Sequence, residues 1–156
     1  MCIRDSYWKD TGTPNDIIHA NGEVLKNMKS YNFSDVDKTT TLTGNVMIGK
    51  NSKIFGNSEI IGPCIIGENC QIGPNAIIGP NCSINNDSQI SNCSIQNSII
   101  MKNCIIDSKI KIHNSIIASN SKISIVNNEI INLKTNHKNK SLTKSKYTQW
   151  WESQNN

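Results

Sequence analysis

Isoleucine or leucine returns at every sixth position from Leu42 to Ile90, through Ile48, Ile54, Ile60, Ile66, Ile72, Ile78 and Ile84. This period fits neither common template. An amphipathic helix wants apolar residues at spacings of three and four, and a half-buried strand wants strict alternation. Six is a multiple of two, so it suits a short strand, a turn and another short strand. Hexapeptide self-similarity of this kind belongs to parallel β-helices. A small residue sits four positions after each anchor, at Ser52, Ser58, Cys64, Cys70, Ala76, Cys82 and Ser88. Gly49, Gly67, Gly73 and Gly79 directly follow anchors, and Pro63, Pro74 and Pro80 each follow a glycine. Each hexad therefore offers a large inward side chain, a turn and a small inward side chain. Glycine tolerates corner dihedrals that other residues resist, and proline fixes φ at a turn.

After Ile90 the steps become fives and sixes, at Ile95, Ile100, Ile106, Ile112, Ile117 and Ile123. A five-residue step still turns a corner but shifts the phase, so the coil is expected to continue with local irregularity. The span 42–126 predicts four to five coils of about 18 residues, stacked at about 4.8 Å into a triangular prism roughly 20 Å long. Such solenoids are stabilised by burial between neighbouring coils and need capped ends. Aromatic residues are only 5% of the chain. A narrow core filled by β-branched residues accounts for that shortage.

Six cysteines raise the question of disulfides or zinc, and their positions answer it. Cys64, Cys70 and Cys82 occupy the small inward slot that serine and alanine share, and no C-x-x-C pair exists for a zinc site. Reduced, buried, structural thiols are expected, with Cys64 and Cys82 stacked on adjacent coils. No apolar run approaches a membrane span and no signal-peptide pattern opens the chain. A cytoplasmic protein with no membrane partner is expected. The net charge of +4 owes much to the segment KTNHKNKSLTKSK, residues 134–146. It predicts a solvated basic tail over 127–156, with no RNA-binding motif or aromatic interleaving to suggest nucleic acid. Tyr147, Trp150 and Trp151 could pack as a short helix against the open end of the prism.

Ahead of the repeats, Thr13 suits an N-cap, Pro14 the first helical position and Asp16 the first turn. Ile17, Ile18, Val24, Leu25 and Met28 then form an apolar stripe at helical spacing. The pattern predicts a helix over 14–29 with a small defect at Gly22, followed by a linker over 31–41.

The stretch YWKDTGTPNDIIHAN, residues 7–21, resembles the end of the catalytic domain in sugar-1-phosphate nucleotidyltransferases. W-x-D-T-G-T-P followed by a D-x-x-x-A-N helix is most similar to the long type of glucose-1-phosphate thymidylyltransferase. That type carries a C-terminal left-handed β-helix, which IIGPCIIGENCQIGPNAIIGPNCSI and SIQNSIIMKNC resemble in turn. The implied architecture is mostly β: a single-stranded left-handed parallel β-helix preceded by one α-helix. The implied reaction joins dTTP and glucose 1-phosphate to give dTDP-glucose and pyrophosphate, with Mg²⁺. One metal aspartate of the family maps onto Asp10, and Lys9 and Thr11 favour thymidylyl transfer by resemblance alone. A hard cation held by a carboxylate would offset phosphate charge as the sugar phosphate attacks. Asp10 could equally bond backbone amides of its own D-T-G turn.

The family's G-x-G-T-R-L-x-P loop, its second metal aspartate and its nucleotide-binding sheet are absent from this sequence. Without a backbone cradle for phosphates, Asp10 has no site in which to act. The expected reading is a C-terminal fragment: residues 1–6, MCIRDS, as a non-native leader resembling adapter read-through, and residues 7–30 as the remnant of a missing catalytic domain. The chain itself is then expected to be inactive, its β-helix serving oligomerisation or regulation. Outward-phase Ile61, Ile65 and Ile77 suggest an apolar stripe for self-association or for contact with the helix or catalytic domain. Two alternatives stand beside this. A hexapeptide-repeat acyltransferase would need a catalytic histidine, for which the repeats offer only His113. Uridylyl- and guanylyltransferases for sugar phosphates share the same layout.

Overall fold

A computed structural model describes residues 12–126 and 129–134. The helix α1 spans Pro14–Lys26. Thr13 and Asp16 form a capping box: the Thr13 Oγ1 accepts from the Asp16 N–H at 3.3 Å, and Asp16 Oδ2 accepts from the Thr13 N–H at 3.1 Å. These bonds satisfy donors that a helix start otherwise leaves unmet. The helix ends three residues short of the 14–29 expected from the apolar stripe. Asn27 caps it, its N–H donating to Val24 O, and Ser30 already bonds Asn45 of the solenoid. The chain has to leave the helix there to enter its first strand.

The solenoid then winds through three parallel faces. Its first turn contains β1 (Tyr31–Asn32), β2 (Asp35–Val36) and β3 (Thr41–Thr43). The second contains β4 (Val46–Ile48), β5 (Lys53–Ile54) and β6 (Glu59–Ile61), and the third β7 (Cys64–Ile66), β8 (Gln71–Ile72) and β9 (Ile77–Ile78). The fourth contains β10 (Cys82–Ile84), β11 (Gln89–Ser91) and β12 (Ser94–Gln96), and the fifth β13 (Ile99–Ile100), β14 (Ile105–Asp107) and β15 (Lys111–His113). A partial sixth turn adds β16 (Ile116–Ile117) and β17 (Ser121–Val126), after which β18 (Glu129–Lys134) folds back antiparallel on β17. Strands β1, β4, β7, β10, β13 and β16 form face 1; β2, β5, β8, β11, β14, β17 and β18 form face 2; β3, β6, β9, β12 and β15 form face 3. The result is the left-handed parallel β-helix that the repeat implied.

The hexad anchors are the core. Ile48, Ile54, Ile60, Ile66, Ile72, Ile78, Ile84 and Ile90 are all buried, and Cys64 lies directly opposite Cys82 across the β7–β10 ladder. The five-residue steps after Ile90 produce shorter turns. Cys64 pairs with Cys82, 18 residues on, whereas Ser83 pairs with Ile99 after 16 and Ile99 with Ile116 after 17. Ladder register survives because the shortening occurs at corners. Ile72-Gly-Pro-Asn-Ala-Ile-Ile78 becomes Ile90-Ser-Asn-Cys-Ser-Ile95, with one residue fewer around the αL asparagine.

Residues 31–41, read from the sequence as a linker, instead carry β1 and β2 of the first turn. The signal was hidden because end-turn positions are degenerate. Asn32 stands where Ile48 stands one turn up, and its side chain accepts from Ser34 N–H to close a turn at the base. Leu42, with no turn below it, is 40% exposed.

Candidate functional site

Asparagine builds the corners. Asn51, Asn69, Asp87, Asn103 and Asn120 stack one per turn between faces 1 and 2, each with positive φ. Asn and Asp tolerate this left-handed conformation better than other residues with a Cβ. Their side chains also form a ladder up the corner: Asn51 Nδ2 donates to Asn69 Oδ1 at 3.3 Å and Asn69 Nδ2 to Asp87 Oδ1 at 3.2 Å. Gly49, expected to serve the corner dihedral, has another role. A Cβ there would lie 2.7 Å from the Gly67 carbonyl carbon of the next turn.

The small inward slot is polar in its chemistry. Ser52 Oγ donates to Gly67 O at 2.7 Å and accepts from Cys70 N–H at 2.9 Å. The thiols of Cys70, Cys82 and Cys104 donate to Asn85, Ile95 and Ala118 carbonyls of the following turn at 3.2–3.4 Å. Serine and cysteine alternate here because both carry a short donor that meets a corner carbonyl. Cys64, Cys70, Cys82, Cys93 and Cys104 are buried free thiols. Burial pushes the Cys64 thiol well up, with Cys82 opposite adding to the shift, and raises Cys93 to about 12, helped by Asp107. Such thiols are inert toward metals and oxidants at neutral pH. Asp107 itself is held below the usual carboxylate range by hydrogen bonds from Asn92 and Ser91, both at 2.8 Å.

Asp10, proposed as a metal ligand, lies outside the described residues. Among those residues no cluster of three or more His, Cys, Asp or Glu side chains could hold a metal ion. His113 is exposed on the outer surface of face 3, opposite Gln96 in register, as an isolated polar residue on a solenoid would be. Among the described residues no helix is long and apolar enough to cross a membrane.

The three outer surfaces differ. Along face 1 the outward positions stack as Tyr31, Met47, Ile65, Ser83, Ile99 and Ile116. Face 2 presents Asp35, Lys53, Gln71, Gln89, Ile105 and Lys122 at its corresponding positions. On face 3, Ile77 stands between Glu59 and Ser94, and Ile61 lies beside Thr43. Ile61, Ile65 and Ile77 therefore do not form one stripe, because hexad phase alone does not say which face a residue joins. Ile65 belongs to an apolar ladder; Ile61 and Ile77 sit among polar neighbours.

The helix α1 uses that ladder. Its Ile18 and Leu25 are buried, and Asn21 between them accepts a hydrogen bond from Ser83 Oγ at 2.6 Å. Gly22 approaches Asn81 at the corner between faces 3 and 1, and Ser30 donates to Asn45 further down the same edge. The helix thus lies lengthwise along this edge, its one inward polar residue matched to the one polar rung of the ladder. On its corner side a polar groove of about 440 Å³ runs between His19, Glu23 and Lys26 and the stacked Asn81, Asn97 and Asn114. On its other side a shallow apolar groove of about 270 Å³ is floored by Ile65, Ile99 and Met101.

Comparison with known proteins places these features in context. Residues 60–135 match the GMPPB C-terminal domain family. A stretch of 52 residues is 31% identical to glucose-1-phosphate thymidylyltransferase from Streptomyces antibioticus, covering 33% of this chain and 15% of that protein. Serine acetyltransferase isoform 3 from Entamoeba histolytica, solved in complex with cysteine, superposes with a TM-score of 0.51 and 19% identity. That alignment covers 90% of this chain and 50% of the acetyltransferase, a likeness of fold. The match therefore spans a small part of the thymidylyltransferase and half of the acetyltransferase. The first two matches support a β-helix of the kind that forms the C-terminal domain of sugar-1-phosphate nucleotidyltransferases.

Proposed function

We propose that this chain is the C-terminal part of a sugar-1-phosphate nucleotidyltransferase, and that the complete enzyme joins dTTP and glucose 1-phosphate. The observation that carries the reading is the docked helix. The segment that resembles the end of a catalytic domain runs straight into α1, and α1 is fastened along the β-helix by Ile18, Leu25 and the Asn21–Ser83 bond. The β-helix is then a platform that fixes the end of the catalytic domain and supports oligomerisation. A cytoplasmic location belongs to the same reading and suits a protein with five reduced thiols in its core.

The described residues do not supply a ligand set for Mg²⁺, so no chemical step in this chain is assigned to the metal. Mg²⁺ commonly takes one or two carboxylates plus substrate oxygens, and Asp10 would be one of them in the complete enzyme. The chain as given is inactive in this reading. Pyrophosphate release assayed with dTTP, glucose 1-phosphate and Mg²⁺ is expected to stay at background, and turnover would refute it. Light scattering is expected to show self-association; a clean monomer would remove oligomerisation from the reading.

Acyl transfer is the second reading, favoured by the exposure of His113 on an acetyltransferase-like fold. It predicts acetyl-coenzyme A binding that is lost in His113→Ala. Calorimetry showing no binding by the parent chain would dispose of it.

A further inference from the structure

We propose that the apolar groove on face 1 is the docking site for residues 147–151 of this same chain, YTQWW. The groove's floor is Ile65 and Ile99, and Met101, 42% exposed, forms its edge at the corner between faces 1 and 2. Its opposite wall is α1. Taking about 100° per residue, Ile17 and Val24 lie about 40–60° beyond Asn21, on the helix side away from His19 and Lys26. Asn21 points at Ser83 of face 1, so Ile17 and Val24 overhang face 1. They are 42% and 63% exposed. Floor and wall make one concave apolar surface with polar Asn85 and Asn86 on its rim. Unpaired apolar surface of this kind marks a contact site.

The place where the described chain ends selects the occupant. Strand β18 runs antiparallel to β17, and its last residue, Lys134, pairs with Ser121. Ser121 directly follows Asn120, which stacks on the same corner as Asn103. The chain is thus delivered to the edge of the groove, not to the far side of the prism. Residues 135–146 contain four lysines and one large apolar residue, Leu142. Twelve residues can reach roughly 40 Å, which covers the length of face 1. Tyr147, Trp150 and Trp151 follow, two of the three tryptophans in the sequence. Spacings of three and four put all three on one side of a single helical turn or two. Tyr and Trp bury large rings while their polar tips bond to a wet rim, which Asn85 and Asn86 provide.

The end of the solenoid is a poorer site for these rings. Ile112 and Ile123, in the last turns, are already buried, so little apolar surface remains there. The lysines stay in solvent, and the aromatic segment covers the face that no other described element covers.

Disulfide trapping tests this in the full chain. Met101→Cys and Glu152→Cys are introduced together in a Cys2→Ser background; the five core thiols are buried and do not compete. Mild oxidation is expected to give an intramolecular link between the two introduced thiols, identified by peptide mass at the monomer position. A disulfide-linked dimer would show that the segment seats on a second copy, and no link would show that it does not visit the groove; either overturns the proposal. Acrylamide quenching gives an independent measure in a Trp8→Phe background. Trp150 and Trp151 are expected to be quenched several-fold less than free tryptophan, and Ile99→Lys to abolish that protection while the far-ultraviolet spectrum stays unchanged. Free-like quenching in the parent, or protection that survives Ile99→Lys, would also overturn it.

Discussion

Replacing Ser83 by alanine should loosen α1 far more than the loss of one surface hydroxyl suggests. Asn21 is the only polar residue between Ile18 and Leu25 on the buried side of the helix. Its Oδ1 accepts from Ser83 Oγ at 2.6 Å, while its Nδ2 is buried with no partner. Ser83→Ala removes the one bond this amide makes. The loss of the bond and the stranding of a buried acceptor together cost about 1–3 kcal/mol. A 13-residue helix has little stability of its own, so its amide protection reports docking. At 1.4 kcal/mol per factor of ten, exchange across α1 should accelerate about 5- to 150-fold. Exchange in β7 and β10 should barely change, since Ser83 Oγ faces outward from the ladder. The decisive variant is the double one. Asn21→Leu with Ser83→Ala removes both polar partners and lets an apolar helix meet an apolar ladder, so docking should return to within about 1 kcal/mol of the parent or exceed it. Hydrogen exchange read by mass spectrometry on peptides covering residues 14–27 measures all three chains. If the double variant exchanges faster than Ser83→Ala, the bond is stabilising in its own right and the matching of polar rungs is not what sets the helix in place.

Alkaline pH should destabilise the solenoid through its thiols. Their folded pKa values are raised, so the neutral form is favoured in the core; the stabilisation is complete below about pH 9 and is lost as pH rises through the unfolded value toward about 12 for Cys93. Each strongly shifted thiol contributes on the order of 1.4 kcal/mol per pH unit in that window. Melting followed by circular dichroism at pH 8 and pH 10.5 should show a clear fall, and Cys93→Ser a shallower one; equal melting temperatures at both values would contradict this. Position along the solenoid should decide the cost of losing an anchor. Ile72→Ala, in a central turn and buried, should cost about 2–5 kcal/mol in urea unfolding. Leu42→Ala, 40% exposed at the base, should cost about 1 kcal/mol. Equal costs would mean that the base is covered in solution. Gly49→Ala should be at least as damaging as Ile72→Ala, because its Cβ meets backbone rather than a movable side chain. A neutral Gly49→Ala would refute the close approach of turns at that corner.

The central fold was legible because its signal repeats. Eight hexads name the same inward positions, and each is buried as expected from Ile48 to Ile90. The shortened turns were legible too, since each five-residue step survives as a tighter corner. The ends were not. In the first turn Asn32 replaces the anchor and Leu42 is left without a neighbour below, so periodicity fades where one side of the ladder is missing. The face to which an outward residue belongs was also unreadable from hexad phase. Ile65 and Ile77 look equivalent in sequence, yet two corners separate their columns, and their ladder partners are Met47 and Ser83 in one case and Glu59 and Ser94 in the other. The corner asparagines carried a signal that composition alone blurred: their spacing repeats like that of isoleucine, and it marks αL positions that glycine only partly shares. Asp10 lies outside the described residues, so the motif that suggests the chemistry and the fold that suggests the platform meet only through α1.

That junction explains why one face is apolar and the other two are not. A solenoid gains its stability from inward residues, so its outward positions are free to be polar on every face, and on faces 2 and 3 most of them are. Face 1 departs from this along its whole length, with a single polar rung. A helix laid along that face needs apolar partners at about one per turn, and needs something to stop it sliding, since a uniform ladder would accept it in several registers a rung apart. Ser83 breaks the uniformity at one height and Asn21 breaks the helix stripe at the matching one. A shift of one rung, about 4.8 Å, would bury Asn21 against Ile65 or Ile99 with both ends of its amide unpaired. The penalty for that shift, on the order of 1–3 kcal/mol, is enough to hold α1 at one height. Whatever precedes α1 is thereby delivered to the β-helix at a fixed position, the property that a platform for a catalytic domain requires.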